Sequence, residues 1–165
     1  MIIESKIGSS SYMKLMFTLI YRKPATIFLL VLGLVSIIIS IIYFLGFNIQ
    51  FDKPPFLELF FGLFILFGFP IIIFLSTKRN FKTNLRFQER ITYEFTEDKI
   101  KMSGESFNSE MDWSKIYKIQ ELKNWVLIYQ NRAAANIIPI ESFNDKIDDF
   151  REMVKKKKIK YKLRR

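Results

Sequence analysis

The densest chemistry in the chain lies at its end. Residues 155–165 hold eight cations, Lys155, Lys156, Lys157, Lys158, Lys160, Lys162, Arg164 and Arg165, and no acid. Such a run suits a dispersed anionic surface. Each Lys or Arg near an anionic leaflet contributes about 1 kcal/mol, and the same side chains contact nucleic-acid phosphates. Their position decides between the two. The net charge is +10, yet residues 78–154 carry as many acids as bases. The excess sits in the tail and beside the apolar runs, which favours anionic lipid headgroups; nucleic acid is the weaker reading. Ile159, Tyr161 and Leu163 alternate with the cations, which suits a tail that holds the last helix against a membrane.

Other chemistry is sparse. The chain has no histidine and no cysteine, which removes the commonest general base, the commonest transition-metal ligand, and all disulfide and thiolate chemistry. No GxSxG, HExxH or CxxC is present. Gly104 is the only glycine after residue 77, so no glycine-rich loop cradles phosphate. Asp145, Asp148, Asp149 and Glu152 form an acidic patch that reads as a solvated helix face, because a rigid helix cannot wrap around calcium. Trp113 and Trp125 fit core or cross-strand packing better than a ligand cage. These features predict a protein that is not an enzyme and needs no cofactor or metal.

Two apolar runs position everything else. Ala25 to Phe47 contains no charge, and Phe56 to Ser76 contains only Glu58. As helices each is about 30–35 Å long at 1.5 Å per residue, enough to cross a hydrocarbon core about 30 Å thick. Their short connection, Asn48 to Pro55, makes them antiparallel neighbours. Lys14, Arg22 and Lys23 precede the first run, and Lys78, Arg79, Lys82 and Arg86 follow the second. The positive-inside rule therefore predicts a multi-pass protein of the cell membrane with both termini cytoplasmic. Gly33, Ser36, Ser40, Gly62 and Gly68 are the small residues that allow close helix packing, within the hairpin or in a homodimer. Pro70 should kink the second span. Glu58 reads as an interfacial residue, with a role inside the membrane as the alternative.

Before the hairpin, residues 1–8 suggest one strand, and Tyr12 to Arg22 a helix, interfacial or part of the soluble fold, capped by Ser9, Ser10 or Ser11. After it the period changes to two. Strands are expected at Ile91–Phe95, from Ile100, and over Phe107–Trp113, Ile116–Leu122, Trp125–Gln130 and Ala133–Ile140, with turns short enough for an antiparallel meander. A helix capped by Ser142 or Asn144 should follow, with Phe143, Ile147, Phe150 and Val154 as its apolar stripe. The expected organisation is an N-terminal segment, 1–24; a transmembrane hairpin, 25–76; a sheet domain, 80–155; and a polybasic tail, 156–165.

This order looks like the YcxB-like family of bacterial membrane proteins. The resemblance rests on ITYEFTEDKIKM (91–102), the MDWSKI segment with Trp113, the WVLIYQN strand, and IIPIESF with Pro139 and Phe143, and covers residues 12–155. It implies an α+β membrane protein: a transmembrane helical hairpin, then an antiparallel sheet domain similar to the pleckstrin-homology (PH) fold, capped by a C-terminal helix. The family motifs are structural, and the resemblance implies no reaction and no ligand. The expected role is a non-enzymatic membrane protein presenting a PH-like binding domain to lipid or protein at the cytoplasmic face. The alternatives are self-immunity against membrane-active peptides and an accessory subunit of a membrane complex.

Overall fold

The structure, a computed structural model, describes residues 1–47 and 53–164. The chain forms two compact units. One is the segment Ser10–Asn80; the other joins Met1–Ser9 to Phe81–Arg165.

The first unit is helical. Helix α1 (Ser9–Tyr21) starts at the serines expected to cap it, so they form its first turn. Helix α2 (Pro24–Phe44) opens with proline at its first position, where the missing N–H costs nothing. The second apolar run is longer as a helix than as a pattern. It continues from Phe56 to Thr83 as α3 (Phe56–Leu63), a π-helical turn (Phe64–Gly68) and α4 (Phe69–Thr83). The wide turn stands directly before Pro70, whose ring removes a backbone donor and crowds the preceding turn. Helices α2 and α3 pack on each other where both lack side chains. A Cβ on Gly62 would lie 2.6 Å from the Gly33 carbonyl oxygen, and one on Gly33 would lie 2.9 Å from Ile65. Most of both helices remains exposed apolar surface within the chain.

The second unit is two four-stranded sheets and a helix. The first sheet runs in the order β1-β2-β3-β4, all antiparallel: β1 (Ile2–Ser5), β2 (Ile91–Phe95), β3 (Lys99–Ser103) and β4 (Asn108–Asp112). The second runs β7-β6-β5-β8: β5 (Lys118–Glu121), β6 (Trp125–Tyr129), β7 (Ala135–Pro139) and the two-residue β8 (Tyr161–Lys162). The expected strands, including the one in residues 1–8, are present with shorter ends, and β8 is added to them. The sheet unit thus draws residues from both sides of the hairpin, where the expected domain, 80–155, held only later ones.

The core lies between the sheets and helix α5 (Ile147–Lys156). Phe95 is its centre, with ring centroids of Tyr93, Trp113, Phe143 and Phe150 at 6.2, 6.2, 6.4 and 5.2 Å. The Trp113 indole N–H donates to the Thr96 carbonyl at 2.9 Å. The helix begins later than expected, and neither Ser142 nor Asn144 caps it. Residues Ile140–Lys146 form a 3-10 segment that brings Phe143 into the core first. The chain then reverses through Asn144 at φ 48°, a left-handed conformation that asparagine tolerates better than most residues. Lys146 stands at the N-cap without a side-chain bond, and Asp148 and Asp149, not Asp145, occupy the first turn, where negative charge suits the helix dipole.

Candidate functional site: a basic edge strand

The cations expected to act together are divided by the fold into three groups. Lys155 and Lys156 end helix α5, where positive charge meets unsatisfied carbonyls. Lys157 is committed locally: its Nζ donates to the Glu97 carbonyl and sits 5.6 Å over the Trp113 ring. Lys158, Lys160, Lys162 and Arg164 remain exposed along the edge strand. Arg165 lies outside the described residues.

The tail is therefore a strand and not a loose extension. It runs parallel to β5, with Tyr161 opposite Ile119 and Lys162 opposite Gln120. The Ile119 N–H donates to the Lys160 carbonyl at 2.9 Å, and the Arg164 N–H donates to Glu121 Oε2 at 3.2 Å. Strand periodicity assigns the faces. Ile159 and Leu163 pack against the core, so these two are not available to a membrane, as the interleaved pattern had suggested. Tyr161 stays 47% exposed at the edge.

Glu121 fixes this arrangement. Its carboxylate, 1% exposed, meets Arg151 of α5 in an ion pair. Arg151 Nε donates to Oε2 at 3.0 Å and Nη2 to Oε1, and Nη1 donates to Asp148 at 2.7 Å. Hydrogen bonding to Glu121 pushes the Arg151 pKa further up, so the guanidinium keeps its charge. One buried carboxylate thus ties β5, α5 and the tail together. Neither residue stands out in the sequence. The available signal was strand parity: Glu121 shares the inward phase of Ile119 in the run Lys118–Glu121, where a charge requires a partner.

In the hairpin, Gly33 and Gly62 meet at the α2–α3 contact. Ser40, fully buried, donates to the Ser36 carbonyl at 2.9 Å and lies 3.2 Å from the Pro55 carbonyl. Gly68 does something else: a Cβ there would press on the Phe64 ring of its own helix at 2.8 Å. Glu58 stands half-buried beside Ser36, Leu57, Phe60, Phe61 and Phe64. Of the predicted connection, residues 48–52 lie outside the described residues.

Residues 95–154 match the family model described as YcxB-like protein. The matched stretch begins at the central Phe95, takes in the sheet pairs β3–β4 and β5–β6–β7, and ends at Val154 of α5. The hairpin, β1 and the basic edge strand fall outside it. Nothing among curated proteins and nothing among solved structures matches the chain.

Proposed function

We propose that the chain is a non-enzymatic integral membrane protein whose two spans hold a PH-like binding domain at the cytoplasmic face of the cell membrane. The observation that carries this reading is topological. The two long apolar helices are inserted between β1 and β2, which pair from Ile2↔Glu94 to Ser5↔Ile91. Both ends of the hairpin must then lie on one side of the membrane it crosses, and the Lys and Arg residues at those ends favour the cytoplasm. The PH-like reading is supported by the order of elements: a four-stranded antiparallel sheet, a second antiparallel sheet of β5, β6 and β7, and one closing helix. A binding role fits a chain without histidine, cysteine or, among the described residues, any acidic cluster able to hold a metal. The exposed cations of the edge strand suit anionic headgroups.

The absence of native cysteine makes the test clean. Lys53→Cys lies in the loop and Lys123→Cys in the β5–β6 turn of the domain, both exposed. On intact cells a membrane-impermeant maleimide should label Lys53→Cys and reach Lys123→Cys only after lysis. Equal labelling of both in intact cells, or release of the protein by alkaline carbonate, overturns the proposal.

A further inference from the structure

The sheet unit carries an open cavity of about 240 Å³, room for roughly eight waters at liquid density. Ile91, Met102 and Phe107 are among its apolar lining. The polar side chains in its lining include Asn84, Ser109 and Gln130; three others give it a definite chemistry. Asn136 Nδ2 is buried and has no hydrogen-bond partner among the described residues. Tyr93, 1% exposed, has a hydroxyl for which no hydrogen bond is seen among the described residues. Arg86, exposed, also lines it, its guanidinium 4.5 Å from the centre of the Phe107 ring.

Buried donors without partners are rare in folded proteins, because each forfeits its hydration. Here one, Asn136 Nδ2, lies in the lining of a space that Arg86 also lines, and no carboxylate lines that space. The nearby Glu89 accepts from the Ser106 N–H at 3.0 Å; that hydrogen bonding, with a smaller contribution from the Arg86 charge, holds its pKa down. Arg86 makes no ion pair among the described residues. We infer that this cavity binds a small monocarboxylate with an apolar tail. The carboxylate takes the guanidinium fork of Arg86 and the Asn136 and Tyr93 donors, and the tail lies on Met102 and Phe107. The charge count selects the class: one cation balances one carboxylate, whereas a phosphate dianion needs more. Burial pushes the Tyr93 pKa up, which keeps its hydroxyl protonated and donating.

This inference gives a ligand class to the binding domain proposed above, and so rests on the binding reading, but its test does not depend on membrane sidedness. The full chain is placed in nanodiscs of zwitterionic lipid and titrated with hexanoate, hexanol and hexyl phosphate, followed by saturation-transfer NMR against empty discs. Hexanoate should bind about tenfold more tightly than either comparison compound. Arg86→Gln, at an exposed position, should weaken hexanoate by about tenfold and leave hexanol unchanged. Asn136→Asp keeps the shape and places a negative charge in the cavity, so it should abolish hexanoate binding while the circular dichroism spectrum stays that of the parent. Equal binding of hexanol, tighter binding of hexyl phosphate, or full binding by Arg86→Gln overturns the inference. Each can occur with the cysteine-labelling pattern intact, which separates failure here from failure of the membrane reading.

Discussion

A carboxylate buried as deeply as Glu121 is tolerated only with a partner, because desolvation costs several kcal/mol per ion. Arg151 supplies that partner through two hydrogen bonds. Removing it leaves an uncompensated charge, so Arg151→Ala should destabilise the domain by about 3 kcal/mol. Thermal unfolding of the detergent-solubilised chain should shift down by about 10 °C or more. The double variant Glu121→Met with Arg151→Met should recover part of that loss, since no buried charge then remains. A single variant that melts with the parent would mean that water already reaches Glu121. Tyr93 makes a separate prediction. Burial raises its pKa above the ordinary 10.0, so the folded state holds a proton that the unfolded state releases. The contribution is complete below pH 10 and is lost as pH rises toward the folded value. Tyr12 and Tyr129 shift the same way, also through burial. Melting temperature should therefore fall above pH 10, and Tyr93→Phe should flatten that fall. An unchanged alkaline slope in the variant would assign the effect to the other tyrosines.

At the scale of elements, β1 is the strand whose absence should be felt most. It pairs four residues of β2 and brings Ile3 into the core. A fragment starting near residue 80 lacks it and exposes the β2 edge, a template for aggregation. Replacing residues 10–80 with a Gly/Ser linker of about six residues should close a β1–β2 connection and give a soluble, monomeric, cooperatively folding domain. The same fragment without residues 1–9 should aggregate or melt well below it. Equal melting would make β1 an ornament of the sheet. The sequence of residues 1–8 suggests this strand but not its partner. The alternation of Ile91, Tyr93 and Phe95 announces β2, and the charge-free run announces the hairpin, because each is a local period. Four residues at the start of the chain cannot announce a partner some ninety positions later. The same holds for β8, two residues paired in parallel with β5 inside a lysine-rich run. Glu121 was hidden for a related reason: its pairing with Arg151 spans 30 positions. The cavity was less legible still, since Arg86, Tyr93 and Asn136 come from a turn and two strands that only the tertiary fold brings together.

At the scale of the whole molecule, the basic strand has two physical roles open to it, and they part on salt. Lysines on an edge strand discourage further strand pairing, and that effect needs no membrane. The same four exposed side chains near an anionic leaflet supply at most about 4 kcal/mol. For a free domain that is weak, but a domain already anchored has a high effective concentration at the surface. The interaction then sets orientation and not recruitment. An environment-sensitive fluorophore on Tyr161→Cys, an exposed position between Lys160 and Lys162, reads this directly in the full chain. In nanodiscs with anionic lipid, headgroup-borne quenchers should quench it. Raising salt to about 0.5 M shortens the screening length to about 4 Å and should release it. Changing Lys158, Lys160, Lys162 and Arg164 to glutamine should release it without salt, while the Arg164 backbone N–H still reaches Glu121. Quenching that is the same in neutral discs, or indifferent to salt and to the four glutamines, would assign the cations to guarding the sheet edge and leave the cavity as the domain's binding site.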